Sequence, residues 1–449
     1  MIKEPEVKIN FMRAIALSLG VMGFGGVAVA DELISTPVET ASFTLSDLVQ
    51  KSAAQKSKGK ADKSDASCDT KGAGKVKFDW GANTSLSVGA GLRTSYNSIE
   101  NGNPNGGTAQ DFSLNNARIY LSGKGHERIG FEFNTDIDNA QGFNLDNSAN
   151  GGEDRGASVR ILDLIAKFQL TDHISLWTGR FLPPSDRSNL DGPFYLSMWN
   201  FPWAQFGYPN IFQGRDDGAA LFGQYGDGAF KWQIGAFEGD NDGSHVPVDH
   251  AGTDNLMVSG RLTLNLLDPE PGYYNQSTYY GEKDILAVGV AFQHRHNVLA
   301  DANDVLQDQT GWSIDALFER PMDNGGVVTV EGAYYNNDDH GGLDGAGNEV
   351  LIGTNRPRTG EGYFILGGYM LPNTMNIMSL EGKLQFLTRY MEYSSASWNP
   401  AGQDNSTDFQ LNYIMHGHNA RISAVWSVYD SHDGTENTDT FTLGTQLQF

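Results

Sequence analysis

The chain has 449 residues, a formal net charge of −24, 39% hydrophobic and 11% aromatic residues, and one cysteine. Such acidity argues against nucleic acid as a partner. The lone Cys68 excludes an intramolecular disulfide framework, and it lacks the C-x-x-C-H spacing of attached haem.

At the N-terminus, Lys3, Lys8 and Arg13 precede the apolar run AIALSLGVMGFGGVAVA, which ends in Ala28-Val29-Ala30 before Asp31. A basic region, a short apolar core and an A-x-A site predict a cleaved secretory signal peptide over 1–30. The run is shorter than the roughly 20 residues a membrane helix needs. Residues 31–77 then read as a periplasmic linker, disordered or partly helical, rich in Lys, Ser, Ala and Gly. Within it, FTLSDLVQK (43–51) offers one short helix. The acid lies further on, since the side chains of 78–449 sum to −26.

From about Trp80 the apolar pattern has period two. TSLSVGAGLRTSY puts Leu86, Val88, Ala90 and Leu92 on one face and Ser85, Ser87 and Arg93 on the other. RIGFEFNTDID sets Ile129, Phe131 and Phe133 against Glu132, Asn134 and Asp136. FKWQIGAF, LMVSGRLTLNL and the terminal FTLGTQLQF repeat the alternation. The strands are expected at 82–95, 112–124, 127–138, 158–170, 173–182, 216–225, 228–238, 254–267, 283–295, 310–320, 326–335, 358–370, 380–393, 408–416, 420–430 and 438–449. Short turns (GHE, TDH, GDG, GHN) alternate with long acidic connections, as in transmembrane barrels. Two expected periplasmic turns, 268–282 and 371–379, break this rule by being long. The predicted fold is all-β: a transmembrane antiparallel barrel of about 16 strands over 78–449. A closed sheet pairs every backbone group in lipid, and sixteen strands leave an aqueous channel.

The densest aromatic run, LDGPFYLSMWNFPWAQFGYPNIF (190–212), falls between the fifth and sixth expected strands. Pro193, Pro202 and Pro209 remove ladder donors, so it is expected as a loop and not a strand. Aromatics and prolines suit a rigid segment packed on the barrel wall.

Over 112–238 the motifs SLNNARIYLSGKG, SLWTGRFLPPS and GRDDGAALFG resemble the phosphate-selective porins, the O and P type outer-membrane porins. The match rests on Arg118, Gly179-Arg180-Phe181, Pro183-Pro184 and Gly214-Arg215-Asp216-Asp217-Gly218. The resemblance implies a homotrimeric sixteen-stranded barrel in the outer membrane of a Gram-negative bacterium, bounded by lipid and lipopolysaccharide. It implies a third loop, 183–214, folded inward to narrow the pore, and a terminal Phe449 read by the barrel-assembly machinery. It also implies a basic lining that selects anions.

The expected lining here is mixed. Arg93, Arg118, Lys167, Lys231, Arg261, Lys383 and Arg389 face Glu132, Asp136 and Asp163. The expected constriction residues are Arg180, Arg187, Arg215, Asp216, Asp217, Tyr195, Trp199 and Trp203. The expected function is passive diffusion of small hydrophilic solutes, ions above all, with weak anion preference. The alternative is a barrel that anchors or sheathes a redox or adhesion partner. No G-x-S-x-G elbow is present, so no enzyme and no cofactor is expected. His294/His296 and His416/His418 each share a strand face, but spacing shows no third ligand and no metal site is predicted. The acidic stretches NNDDHGGLD (336–344) and DNDG (240–243) lack EF-hand spacing and read as solvated loops.

Overall fold

A computed structural model describes residues 76–79, 83–103, 106–137, 159–205, 214–239, 255–300, 306–338, 360–377, 379–395, 403–431 and 438–449. The signal peptide, most of the linker, Cys68, the loop end at 206–213 and the acidic stretch 240–243 lie outside the described residues.

The strands in chain order are β1 (Val76–Asp79), β2 (Ser85–Ile99), β3 (Ala109–His126), β4 (Ile129–Ile137), β5 (Val159–Gln169), β6 (Ile174–Phe181), β7 (Asp216–Tyr225), β8 (Phe230–Phe237) and β9 (Met257–Asn265). They continue as β10 (Ile285–Ala300), β11 (Leu306–Pro321), β12 (Val327–Asp338), β13 (Gly360–Ile377), β14 (Leu380–Ser395), β15 (Gln403–His416), β16 (Ala420–Asp430) and β17 (Thr438–Gln448). From β2 onward each strand pairs antiparallel with the next. β17 returns to β2, from Thr440↔Ile99 to Gln448↔Gly91, and closes a sixteen-stranded ring. Closure removes sheet edges and so satisfies the backbone in lipid.

The two faces invert the arrangement of a water-soluble protein. Exposed apolar side chains ring the outside, among them Phe112, Phe131, Leu221, Ile234, Leu262, Phe292, Trp312, Phe386, Trp426 and Phe441. Buried charged and amide side chains line the inside, among them Arg93, Asp136, Lys231, Arg261, Asp315, Arg389, Asp408, Arg421 and Gln446. Alternation along each strand produces both faces at once.

The structure departs from the sequence reading at several strand ends: β2 and β10 run on to Ile99 and Ala300, and β11 and β15 begin earlier, at Leu306 and Gln403. Two further departures alter the pairing. Residues 371–377 are strand, not turn: β13 runs to Ile377 and pairs with β14 across a register shift between Met370 and Thr374. Val76–Asp79 pairs with Ser85–Val88, occupying the stretch of β2 that β17 leaves unpaired. That places Val76 and Lys77, expected in the linker, in a short strand.

The other long turn, 266–284, remains a true insertion between β9 and β10. It is tyrosine-rich, and Tyr273, Ser277 and Thr278 are fully buried. Its backbone lies close against the β7–β8 turn, where a Cβ at Gly228 would meet Glu270 O at 2.4 Å. Gly228 also has φ +96°, a conformation that suits glycine.

Candidate functional site

After β6 the chain leaves the sheet at Leu182 and forms one short helix, α1 (Arg187–Asp191), before the aromatic run. Pro183, Pro184, Pro193 and Pro202 lack backbone donors, and this stretch pairs with no strand. Its carbonyls still need partners if they are buried. Inward-facing side chains supply them.

Gln446 Nε2 donates to Phe194 O at 2.9 Å. Arg421 Nη1 donates to Leu196 O at 2.7 Å and to Ser197 O at 3.2 Å. Gln410 and Asn412 donate to Ser197 O at 3.1 and 3.2 Å. Arg93 Nη2 donates to Trp199 O, and Arg389 Nη1 to Asn200 O at 2.9 Å. Gln410 Oε1 in turn accepts the Trp199 N–H at 2.8 Å. The donors stand on β2, β14, β15, β16 and β17, across the ring from the segment's own strands β6 and β7.

The aromatics complete the attachment. Trp199 is buried, with the Arg93 guanidinium 4.0 Å from its ring centroid, a cation–π contact. Trp203 Nε1 donates to Ser406 Oγ at 2.6 Å, and its ring meets Tyr429 edge-on. Tyr195 is only partly buried, and its ring centroid lies 5.0 Å from that of His418. Phe206, Tyr208 and Phe212 lie outside the described residues.

The 266–284 insertion meets this segment directly. Arg187 Nη1 donates to Glu270 Oε1 at 2.8 Å, its Nη2 to Glu270 Oε2, and Nη1 also reaches Gln276 O at 2.8 Å. Both partners are 1% exposed. Tyr279 OH donates to Glu270 at 2.6 Å, Tyr273 OH to Leu182 O at 2.9 Å, and Ser277 Oγ to Asp191 at 2.5 Å. Burial by itself raises the Glu270 carboxyl, but the Arg187 charge and its hydrogen bonds outweigh burial and hold it at about 2. Burial pushes the Asp191 carboxyl well up, against the opposing pull of Arg187. The His418 ring, in the β15–β16 turn, lies 3.2 Å from Phe194 O and 2.9 Å from Thr278 O, touching both segments.

The remaining lining residues are paired in kind. Arg118 Nε bonds Asp136 at 2.6 Å, and Lys167 bonds Glu132 while lying 4.0 Å from the Trp177 ring centroid. Arg215 Nε bonds Asp163 at 3.1 Å. Arg261 and Asp315 form a two-pronged pair, and Arg261 also donates to Ser185 O at 3.0 Å. Arg389 bonds Asp408 at 2.7 Å, and Lys231 bonds Asn275 at 2.7 Å. Lys383 is half-buried on the face of Gln385 and Arg389. Asp216 is fully buried and accepts the Gly239 N–H at 2.6 Å.

Two expected constriction residues are misplaced. Arg180 pairs with Asp217 through two bonds of 2.7 Å, but in register they stand opposite each other on the face of Leu164, Leu176 and Leu221. That face is the outer one, because Leu164 and Leu221 are exposed. The neighbours Phe181 and Asp216 take the inward positions and are fully buried. A one-residue step along a strand changes the face, and the expectation put Arg180 and both members of the step Asp216–Asp217 at the constriction.

Sequence reasoning missed the inward role of 266–284. Its only signal was length: a turn too long for its side of the barrel.

A closed ring of sixteen strands, with an apolar outer band and an inner face of charged and amide side chains beside two buried apolar clusters, defines a transmembrane β-barrel of the porin fold. Among solved structures the chain is similar to OmpF of Salmonella typhi in complex with daunomycin, at TM-score 0.51 and 11% identity, over 84% of this chain and 100% of that one. It is also similar to the outer membrane channel DcaP of Acinetobacter baumannii, at TM-score 0.48 and 14% identity, over 83% and 99%. A BenF-like porin from Pseudomonas fluorescens aligns at TM-score 0.43 and 12% identity, over 81% and 98%. At these identities the likeness is one of fold. No family model and no curated protein matches the chain.

Proposed function

We propose that the chain is an outer-membrane channel for passive diffusion of small hydrophilic solutes, narrowed by the inward segment 183–205. The observation that carries the reading is the closed ring with charged side chains inside and apolar ones outside. A soluble barrel has no use for an apolar outer band, and a filled eight-stranded barrel no room for two inserted segments. The signal peptide over 1–30 supplies export, and the finer assignment to phosphate-selective porins rests on the motifs of 112–238. A homotrimer belongs to that same finer reading.

The solute preference we propose is weakly anionic. Arg118, Arg187, Arg215, Arg261 and Arg389 each bond a carboxylate. Arg93 and Arg421 instead bond backbone carbonyls of the aromatic run. A carbonyl accepts the hydrogen bond but cancels no charge, so these two guanidinium groups leave positive potential beside the narrowed passage. Low-dielectric walls strengthen such a field.

The second reading is an anchor or sheath for a partner, and one observation favours it: two segments meet inside the ring and are bonded to its wall. Conductance in planar bilayers separates the two. The channel reading expects discrete ohmic steps from the purified barrel, and larger steps after deletion of residues 187–205. No steps from an intact, folded barrel would leave only the anchor.

A further inference from the structure

The histidine pair His294/His296 has a third partner that sequence spacing could not show. His294 and His296 extend the outward row of Val288, Val290 and Phe292 along β10, all exposed. On β11, Asp308 extends the outward row of Trp312 and Ile314. His294 stands opposite Thr310 and Arg295 opposite Gln309; the register shifts immediately beyond, and the irregular β10 end brings His296 against Asp308. His296 Nδ1 lies 2.7 Å from Asp308 Oδ1. One potential ligand atom from each of the three side chains lies within 4.8 Å of the others.

We propose that His294, His296 and Asp308 bind a divalent transition cation such as zinc on the outer face at the end of β10. Two imidazoles and one carboxylate form the donor set of open zinc sites, with a fourth position left for water or an exogenous oxygen ligand. Calcium and magnesium take mainly oxygen ligands, so the two imidazoles select against both. Ligands on a tetrahedral zinc stand about 3.3 Å apart, given bonds of roughly 2.0–2.1 Å. The present spacing of 2.7 Å to at most 4.8 Å brackets that value. Small rotamer changes of these side chains then suffice, and the cation takes a place between His296 and Asp308.

The surroundings already hold the ligands in place. His294 Nδ1 lies 3.1 Å from Thr310 Oγ1, and when it donates there the Nε2 lone pair faces outward. Asn255 Nδ2 donates to His296 O at 2.8 Å, and Arg295 Nε donates to Asn255 O at 2.8 Å. The backbone of the β10 end is thereby tied to the residues that precede β9.

The test uses the full chain folded in detergent, without a histidine tag, titrated with zinc chloride by calorimetry. The expected result is one zinc per chain, weakened at least about tenfold by His294→Ala, His296→Ala or Asp308→Asn. His416→Ala, at the other pair, leaves the affinity unchanged. Cobalt substituted for zinc gives the strong visible bands of a four-coordinate site, and each of the three ligand variants loses them. Heat-dependent gel mobility verifies that each variant is folded, and His294→Gln replaces the alanine variant where it is not. Absence of a one-to-one site, or three folded variants that bind zinc like the parent, overturns the proposal.

Discussion

The bond between Arg187 and Glu270 joins the two inward segments, and removing one side of it has a calculable effect. Arg187→Ala strands a fully buried carboxylate, because both residues are 1% exposed. The Glu270 carboxyl stands at about 2 where the ordinary value is 4.5, a difference equivalent to about 3 kcal/mol. That agrees with the roughly 3–5 kcal/mol found when one member of a buried ion pair is removed. Three kcal/mol is about two orders of magnitude in a local opening equilibrium. Hydrogen exchange by mass spectrometry at neutral pH should therefore show residues 187–200 and 268–280 exchanging about a hundredfold faster in the variant, with the strands unchanged. The double variant Arg187→Ala/Glu270→Ala should recover much of the protection, since no charge is then left behind. Unchanged exchange in the single variant, or a double variant as loose as the single, would refute the reasoning.

Other outcomes follow from the same contacts. The folded Glu270 value lies below the unfolded one, so its stabilisation is complete above about pH 4.5 and lost as pH falls through about 2; channel noise should rise across that window and not above it. Arg93→Ala with Arg421→Ala removes the charges bonded to loop carbonyls, so reversal potentials in asymmetric salt should move toward cations while conductance rises. Arg180→Ala should leave the reversal potential where it was, because Arg180 stands with Asp217 on the outer face; a clear shift would put it back in the lumen. Gly444→Ala would set a Cβ 2.6 Å from ring carbons of Trp199. The indole must move, at about 1–3 kcal/mol, and faster exchange of residues 194–200 should report it.

The period-two pattern, with Gly, Asn and Asp between strands, determined the number of barrel strands and most boundaries to within two residues, while several strands run three to seven residues beyond the expected ends. It could do so because lipid outside and water inside demand opposite side chains at successive residues, and that demand is local in sequence. Phe131 beside Glu132, or Leu262 beside Arg261, carries the information alone. Prolines likewise determined that the aromatic run would not join the sheet.

Where the run's carbonyls end was a tertiary matter. Arg421 and Gln446 lie more than two hundred residues from the run's carbonyls that they bond, Leu196 O and Phe194 O, and nothing near either one marks that partner. Asp308 became a neighbour of His296 only through strand pairing. Arg180 and Asp217 show the converse: residues at a loop mouth whose side chains the register turned outward. The 266–284 turn carried its length in the sequence, but its place beside Arg187 depended on ring closure bringing β9 and β10 within reach of the segment after β6. Facing is a nearest-neighbour property and can be read along the chain. Contact across a lumen depends on closure, register and depth together, and exists only once the ring has formed.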